Sequence, residues 1–225
     1  MNGIEEIVRL VALYVIPVIF AITLHEAAHG YAARHFGDLT AYHAGRITLN
    51  PLKHVDPVGT LLIPALMLLV SKGQYAFGWA KPVPVNFGKL GHPKRDMLWV
   101  AAAGPLANLL MAAGWALVIK VAAAMPSNYF TEPLFLMARG GIIVNAVLMV
   151  LNLIPLPPLD GGRIAVSLLP RLWAGMFARL EPYGMIILVG LMFLGWLGAM
   201  MGPVVGIFVT LLAAVFEIAW IFDLK

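Results

Sequence analysis

Apolar residues run from Ile7 to Leu24 with Arg9 as the one charged interruption, and the run continues past a short polar cluster to about Phe36. At about 1.5 Å per helical residue this exceeds a hydrocarbon core roughly 30 Å thick, so the pattern predicts a helix that crosses and emerges. Similar runs at Met97 to about Ala124, Leu134–Leu153, Tyr183–Met200 and Pro203–Ile221 predict four more spans, the last two forming a C-terminal hairpin. The apolar stretch Val58–Val70 is short and contains Gly59 and Pro64, so it is expected to re-enter rather than cross. Residues 38–56 are polar and read as interfacial turns. Gly78–Asn86 sets Pro82 and Pro84 between valines and cannot be helical. It is expected either as an extended edge able to pair with an added strand or as a plain interfacial loop. Arg171 and Arg179 mark an amphipathic or loop region before the hairpin.

Composition agrees with that pattern: the 225 residues are 61% hydrophobic and 12% charged, with a mean hydropathy of +0.90. The expected fold is an all-α polytopic membrane protein, with about five to six transmembrane helices, a re-entrant segment and short extended strands near the functional site. One domain is expected over 1–225, with a core at 7–163 and the helical hairpin at 183–221. The net charge of +4 comes without a basic patch carrying interleaved aromatics, which argues against nucleic-acid binding and for loops that obey the positive-inside bias. The acidic start Met1–Glu6 lacks a positive leader, so the first span is expected to be retained. Without cysteine, any metal must be held by imidazole and carboxylate.

Candidate chemistry sits inside the first span. In Thr23-Leu24-His25-Glu26-Ala27-Ala28-His29-Gly30, His25 and His29 stand at i and i+4 on a helix, so both rings leave one face and can close on one metal ion. Glu26, rotated by about 100°, is poorly placed as a ligand and well placed to reach a water at the metal, the general-base arrangement of a zinc protease. Three ionisable groups at membrane depth are costly unless they pair, bind or line a wet cavity. His43 and His54 stand in no ligand spacing and read as loop histidines. Further along, Pro155, Pro157 and Pro158 break the chain after Asn152, and Asp160-Gly161 follows. Asp160 is either the acid of a turn before glycine or the third ligand that a two-histidine zinc site lacks. Asn108, in Gly104-Pro105-Leu106-Ala107-Asn108, is buried in lipid only if partnered, by a helix-to-helix hydrogen bond or in support of the metal site.

Topology follows from parity. If residues 58–70 only dip into the bilayer, the helix carrying His25 and the helix leading to Asp160 run parallel and deliver ligands to the same side. That layout places Arg34, Arg46, Lys53, Lys72, Lys81, Lys89, Lys94, Arg95, Arg163, Arg171, Arg179 and Lys225 on one face, against Arg9, Lys120 and Arg139 on the other. The expectation is a multi-pass protein of the cell membrane with five full spans, N-terminus outside, and its metal near the cytoplasmic side.

The pairing of His25-Glu26-Ala27-Ala28-His29 with Leu159-Asp160-Gly161 resembles the site-2 proteases, zinc intramembrane metalloproteases, over most of Leu24–Arg163. The resemblance implies that His25, His29 and Asp160 bind one Zn2+ per chain and that Glu26 is the catalytic base. It also implies that Asn152 contacts substrate backbone or the oxyanion; Asn108 is a further candidate for that role. The implied partners are the lipid bilayer and a membrane-protein substrate cut within or near its transmembrane segment. No stretch resembles a PDZ domain or a CBS pair, so the compact members are the nearest comparison. A metal-ion or proton-coupled transporter is the alternative, against which no inverted repeat is found. The ligand set favours zinc, although iron(II) is held by a similar one.

Overall fold

The computed structural model describes residues 3–70 and 78–223; Lys72 and Lys225, counted in the charge pattern, lie outside them. The structure is all-helical, 76% helix, with no strand among the described residues. Helix α1 (Gly3–His35) contains the first span and ends at Gly37, whose φ of +101° is a left-handed conformation that glycine adopts without strain. There the Asp38 N–H closes the helix on the Ala33 carbonyl at 2.9 Å. The Asp38 carboxylate then accepts the Thr40 N–H, the Thr40 hydroxyl and the Asn86 N–H at 2.9, 2.5 and 2.6 Å. Burial pushes this carboxyl up, but those donors outweigh it and hold Asp38 below the usual carboxylate range.

A short helix α2 (Thr40–His43) and a 3-10 turn (Pro51–Lys53) lead to a π-helical turn (Pro57–Leu62) that runs into α3 (Ile63–Val70). The two together extend about 20 Å, short of a bilayer core. Four long helical elements follow the pattern of apolar runs closely enough to cross a membrane among the described residues: Ala12–His35, α4 (Pro93–Ala124), α5 (Thr131–Leu153) and, later, α9 (Trp196–Val215).

Between α5 and α9 lie α6 (Asp160–Leu168), α7 (Arg171–Ala178) and α8 (Glu181–Phe193). Here the expectation of one span over Tyr183–Met200 is corrected: α8 ends at Phe193 and α9 begins at Trp196. That region contains the end of a pair, α7 and α8, bent by 62°, and only as one broken span would it make a fifth crossing. The hairpin also turns earlier than expected. Gly195, at φ +74°, takes the left-handed turn between α8 and α9, whereas Pro203 lies inside α9.

Helices α1, α4 and α5 pack on one another. Tyr14 near the start of α1 faces Gly140 in the first half of α5, and His25 faces Asp160 just beyond its end, so α1 and α5 run parallel with α4 antiparallel between them. Small residues allow this closeness: Ala112 and Ala116 of α4 meet Ala138 and Ile142 of α5 in a core that the chain end closes with Ile218 and Ile221. The parallel order brings the end of α1, the start of α4 and the end of α5 to one level of the bundle.

Candidate metal centre

At that level the two α1 imidazoles turn toward α4. His29 Nδ1–H donates to the Val100 carbonyl at 2.7 Å, and His25 Nδ1 lies 2.6 Å from Asn108 Oδ1. Both rings pack on Gly104, the one residue type that fits: a Cβ there would sit 2.6 Å from His25 Nε2 and closer still to His29 Nε2. Asp160 comes from the other side, in the first turn of α6. The prolines after α5 stop that helix, and Gly161 and Gly162 let α6 begin hard against it. A Cβ on Gly161 would run into the Leu153 and Ile154 carbonyls, and one on Gly162 into the Pro157 backbone.

Three atoms converge as a result. His25 Nε2 and His29 Nε2 are 3.1 Å apart, and each lies 3.3 Å from Asp160 Oδ2. All three residues are buried, and Asp160 Oδ2 has no hydrogen-bond partner. A tetrahedral ion with bonds of about 2.0–2.1 Å spaces its ligand atoms by roughly 3.3–3.4 Å. With Nδ1 of each ring turned to an acceptor, the Nε2 lone pairs and a carboxylate oxygen face each other with nothing between. This cluster fits a zinc ion in donor type, number and spacing.

Beside the cluster is a cavity of about 300 Å³ whose walls include Glu26, Trp79, Pro82, Val83, Asn152 and Arg163. Glu26 does not join the three ligand atoms; its Oε2 accepts the Val83 N–H at 2.8 Å. Asn152 gives one amide hydrogen to the Leu148 carbonyl at 2.9 Å and has a second to offer. The Arg163 guanidinium lies over the Phe87 ring at 5.3 Å. A larger apolar groove of about 660 Å³ between α1 and α4, bordered by Phe20, Ala28, Leu110 and Gly114, contains no histidine or acid.

Several expectations change in detail. Asn108 is fully buried behind His25 and does not line the cavity, so it has no access to a substrate or an oxyanion. Its place is a relay: Asn108 Nδ2 donates to Asn145 Oδ1 at 2.9 Å, and Asn145 Nδ2 donates to the Gly141 carbonyl at 2.8 Å. The Gly78–Asn86 segment is not a strand. The N–H groups of Trp79, Lys81, Val83 and Asn86 bond the Gly59 and His54 carbonyls, Glu26 and Asp38, while Pro82 and Pro84 have none to give. The segment is fixed to the protein on one side and poor in donors on the other. His43 and His54 stand apart from the cluster, with His54 Nε2 on the Thr48 carbonyl. Gly104, Val100 and the Val83 N–H were beyond sequence reasoning, because an absent side chain and main-chain groups carry no residue signature.

The chain is similar to several named proteins. "Putative zinc metalloprotease YwhC" of Bacillus subtilis (strain 168) is 41% identical over 181 residues, 77% of this chain and 76% of that protein. "Putative zinc metalloprotease Rip2" of Mycolicibacterium smegmatis is 31% identical over 180 residues, covering 77% of this chain and 64% of that protein. The Mycobacterium tuberculosis (H37Rv) protein of the same name is 29% identical over 209 residues, 91% of this chain and 71% of its own length. No family model matches the chain. No solved structure matches it either.

Proposed function

This chain belongs to the zinc metalloprotease family of YwhC and Rip2, and from that premise we propose that it is a site-2-type intramembrane protease, cutting membrane proteins within or near a transmembrane segment. The observation that carries the reading is the convergence of His25 Nε2, His29 Nε2 and Asp160 Oδ2 at 3.1–3.3 Å, inside a bundle whose helices are long and apolar enough to cross a bilayer.

In this reading His25, His29 and Asp160 hold the metal and Glu26 is the catalytic residue. Zinc, when bound, supplies Lewis acidity toward water and the scissile carbonyl. Glu26, held by the Val83 N–H at the cavity wall, takes the proton of the attacking water and returns it to the leaving amine. Asn152 offers its second amide hydrogen to a carbonyl oxygen or to freed substrate backbone. The cavity takes an unwound segment rather than a helix, because about 300 Å³ is far less than a helix about 10 Å across requires. A transmembrane substrate therefore unwinds near the site, and the polar groups of the wall meet its freed backbone. A site facing the cytoplasm completes the proposal.

The test is cleavage in proteoliposomes. Purified protein with zinc is mixed with single-span peptides, products are mapped by mass spectrometry, and Glu26→Gln is run beside it. Cleavage at a bond in or next to the span, abolished by Glu26→Gln at unchanged zinc content, supports the proposal. Equal cleavage by Glu26→Gln overturns the mechanism.

A further inference from the structure

Which ring nitrogen of His25 carries the proton decides whether Nε2 has an electron pair to give. Two main-chain carbonyls settle it from a distance. The Gly141 carbonyl can only accept, so Asn145 presents its amide nitrogen there, at 2.8 Å, and its Oδ1 to Asn108. Asn108 must then donate: its Nδ2 lies 2.9 Å from Asn145 Oδ1 and 3.4 Å from the Ala21 carbonyl, both acceptors. That leaves Asn108 Oδ1 facing His25 at 2.6 Å, where it accepts only if Nδ1 is protonated. Nε2 is left with its lone pair toward Asp160.

Both asparagines are fully buried, so no water substitutes for a missing link. Turning over the Asn108 amide would set its oxygen against two other acceptors and its nitrogen against His25 Nδ1. The imidazole would then carry its proton on Nε2, where the metal has to bind. An amide relay also fixes the tautomer without adding a third negative charge to a site that already has Asp160 and Glu26.

We propose that Asn145 of α5 is a positioning residue for the metal centre, acting through Asn108 to hold His25 as the Nδ1–H tautomer with Nε2 open to zinc. The inference rests on the zinc reading of the site. It is tested on full-length protein in detergent by measuring zinc affinity against a competing chelator for wild type, Asn145→Leu, Asn145→Asp, Asn108→Leu and the double variant Asn108→Leu/Asn145→Leu. Asn145→Leu is expected to bind zinc roughly tenfold more weakly. Asn145→Asp is expected to stay within about threefold of wild type, because a carboxyl buried there is held protonated, its O–H donating to the Gly141 carbonyl and its other oxygen facing Asn108. The double variant is expected to be no weaker than Asn108→Leu alone, because the two residues act in series.

Wild-type affinity in Asn145→Leu overturns the proposal, and so do additive losses in the double variant or a loss of thermal stability alone. A second measurement needs no variant. In zinc-loaded wild type labelled with 15N-histidine, the His25 ring should show a protonated Nδ1, and a protonated Nε2 overturns the proposal. Failure of wild type to bind zinc defeats the reading of the site itself; zinc in wild type beside an unaffected Asn145→Leu defeats only this inference.

Discussion

Gly104→Ala should disable the metal centre by adding a single methyl group. The new Cβ would lie 2.6 Å from His25 Nε2 and closer to His29 Nε2, against an ordinary contact of about 3.5 Å. Something must therefore move by about 1 Å. The rings cannot swing away cheaply, since Nδ1 of each is tied to Asn108 or Val100. Separating α4 from α1 would cost about 1–3 kcal/mol, the usual penalty of overpacking. Metal–ligand distances tolerate only about 0.2 Å, so either response takes the pair out of zinc geometry. We expect zinc affinity to fall by about 10- to 100-fold, which corresponds to about 1.4–2.8 kcal/mol. Gly114→Ala, on the same helix with nothing within 4 Å of its Cβ, is the control and should bind zinc as wild type does. Chelator competition on the purified proteins reads both. Wild-type affinity in Gly104→Ala would refute the packing argument.

Glu26→Gln should retain about one zinc per chain and lose peptide-bond cleavage, checked by elemental analysis beside the proteoliposome assay. On α8, a Cβ at Gly184 would overlap the Pro157 carbonyl and meet the Pro158 ring at 2.7 Å, so Gly184→Ala should push α8 off the site. Limited proteolysis and cleavage rate would report it, and unchanged values would count against α8, whose Met185 lines the cavity, as one of its walls. Asp38, whose carboxyl is depressed by its three donors, contributes stability that is full above the ordinary value of 3.8 and is lost as pH falls below it toward the folded value. Asp38→Asn should therefore lower thermal stability at pH 7, and its difference from wild type should shrink toward pH 3; a pH-independent difference would contradict this.

The i,i+4 spacing of His25 and His29 is legible because a helix converts sequence distance directly into a shared face. Asp160 is legible for a different reason: prolines and glycines at the end of an apolar run announce a break, and an acid beside it is conspicuous. The long spans follow from apolar runs alone. What stays hidden is set by contacts between elements. Nothing in the apolar run over 183–221 distinguishes a turn at Gly195 from one near Pro203, since both are apolar context and only the fold shows which adopts the left-handed turn. The Pro82–Val83–Pro84 alternation correctly excludes a helix, but whether Val83 spends its N–H on a substrate or on Glu26 depends on where α1 passes. For Asn108 the sequence leaves a helix-to-helix bond, support of the metal site and a substrate contact side by side, and burial behind His25 excludes the last.

The central claim is that two motifs far apart in the chain make one zinc site. Elemental mass spectrometry of the purified protein, wild type beside Asp160→Asn, tests it most directly. The account predicts about one zinc per chain in wild type and its loss in the variant. Equal zinc in both would remove Asp160 from the metal and contradict the account.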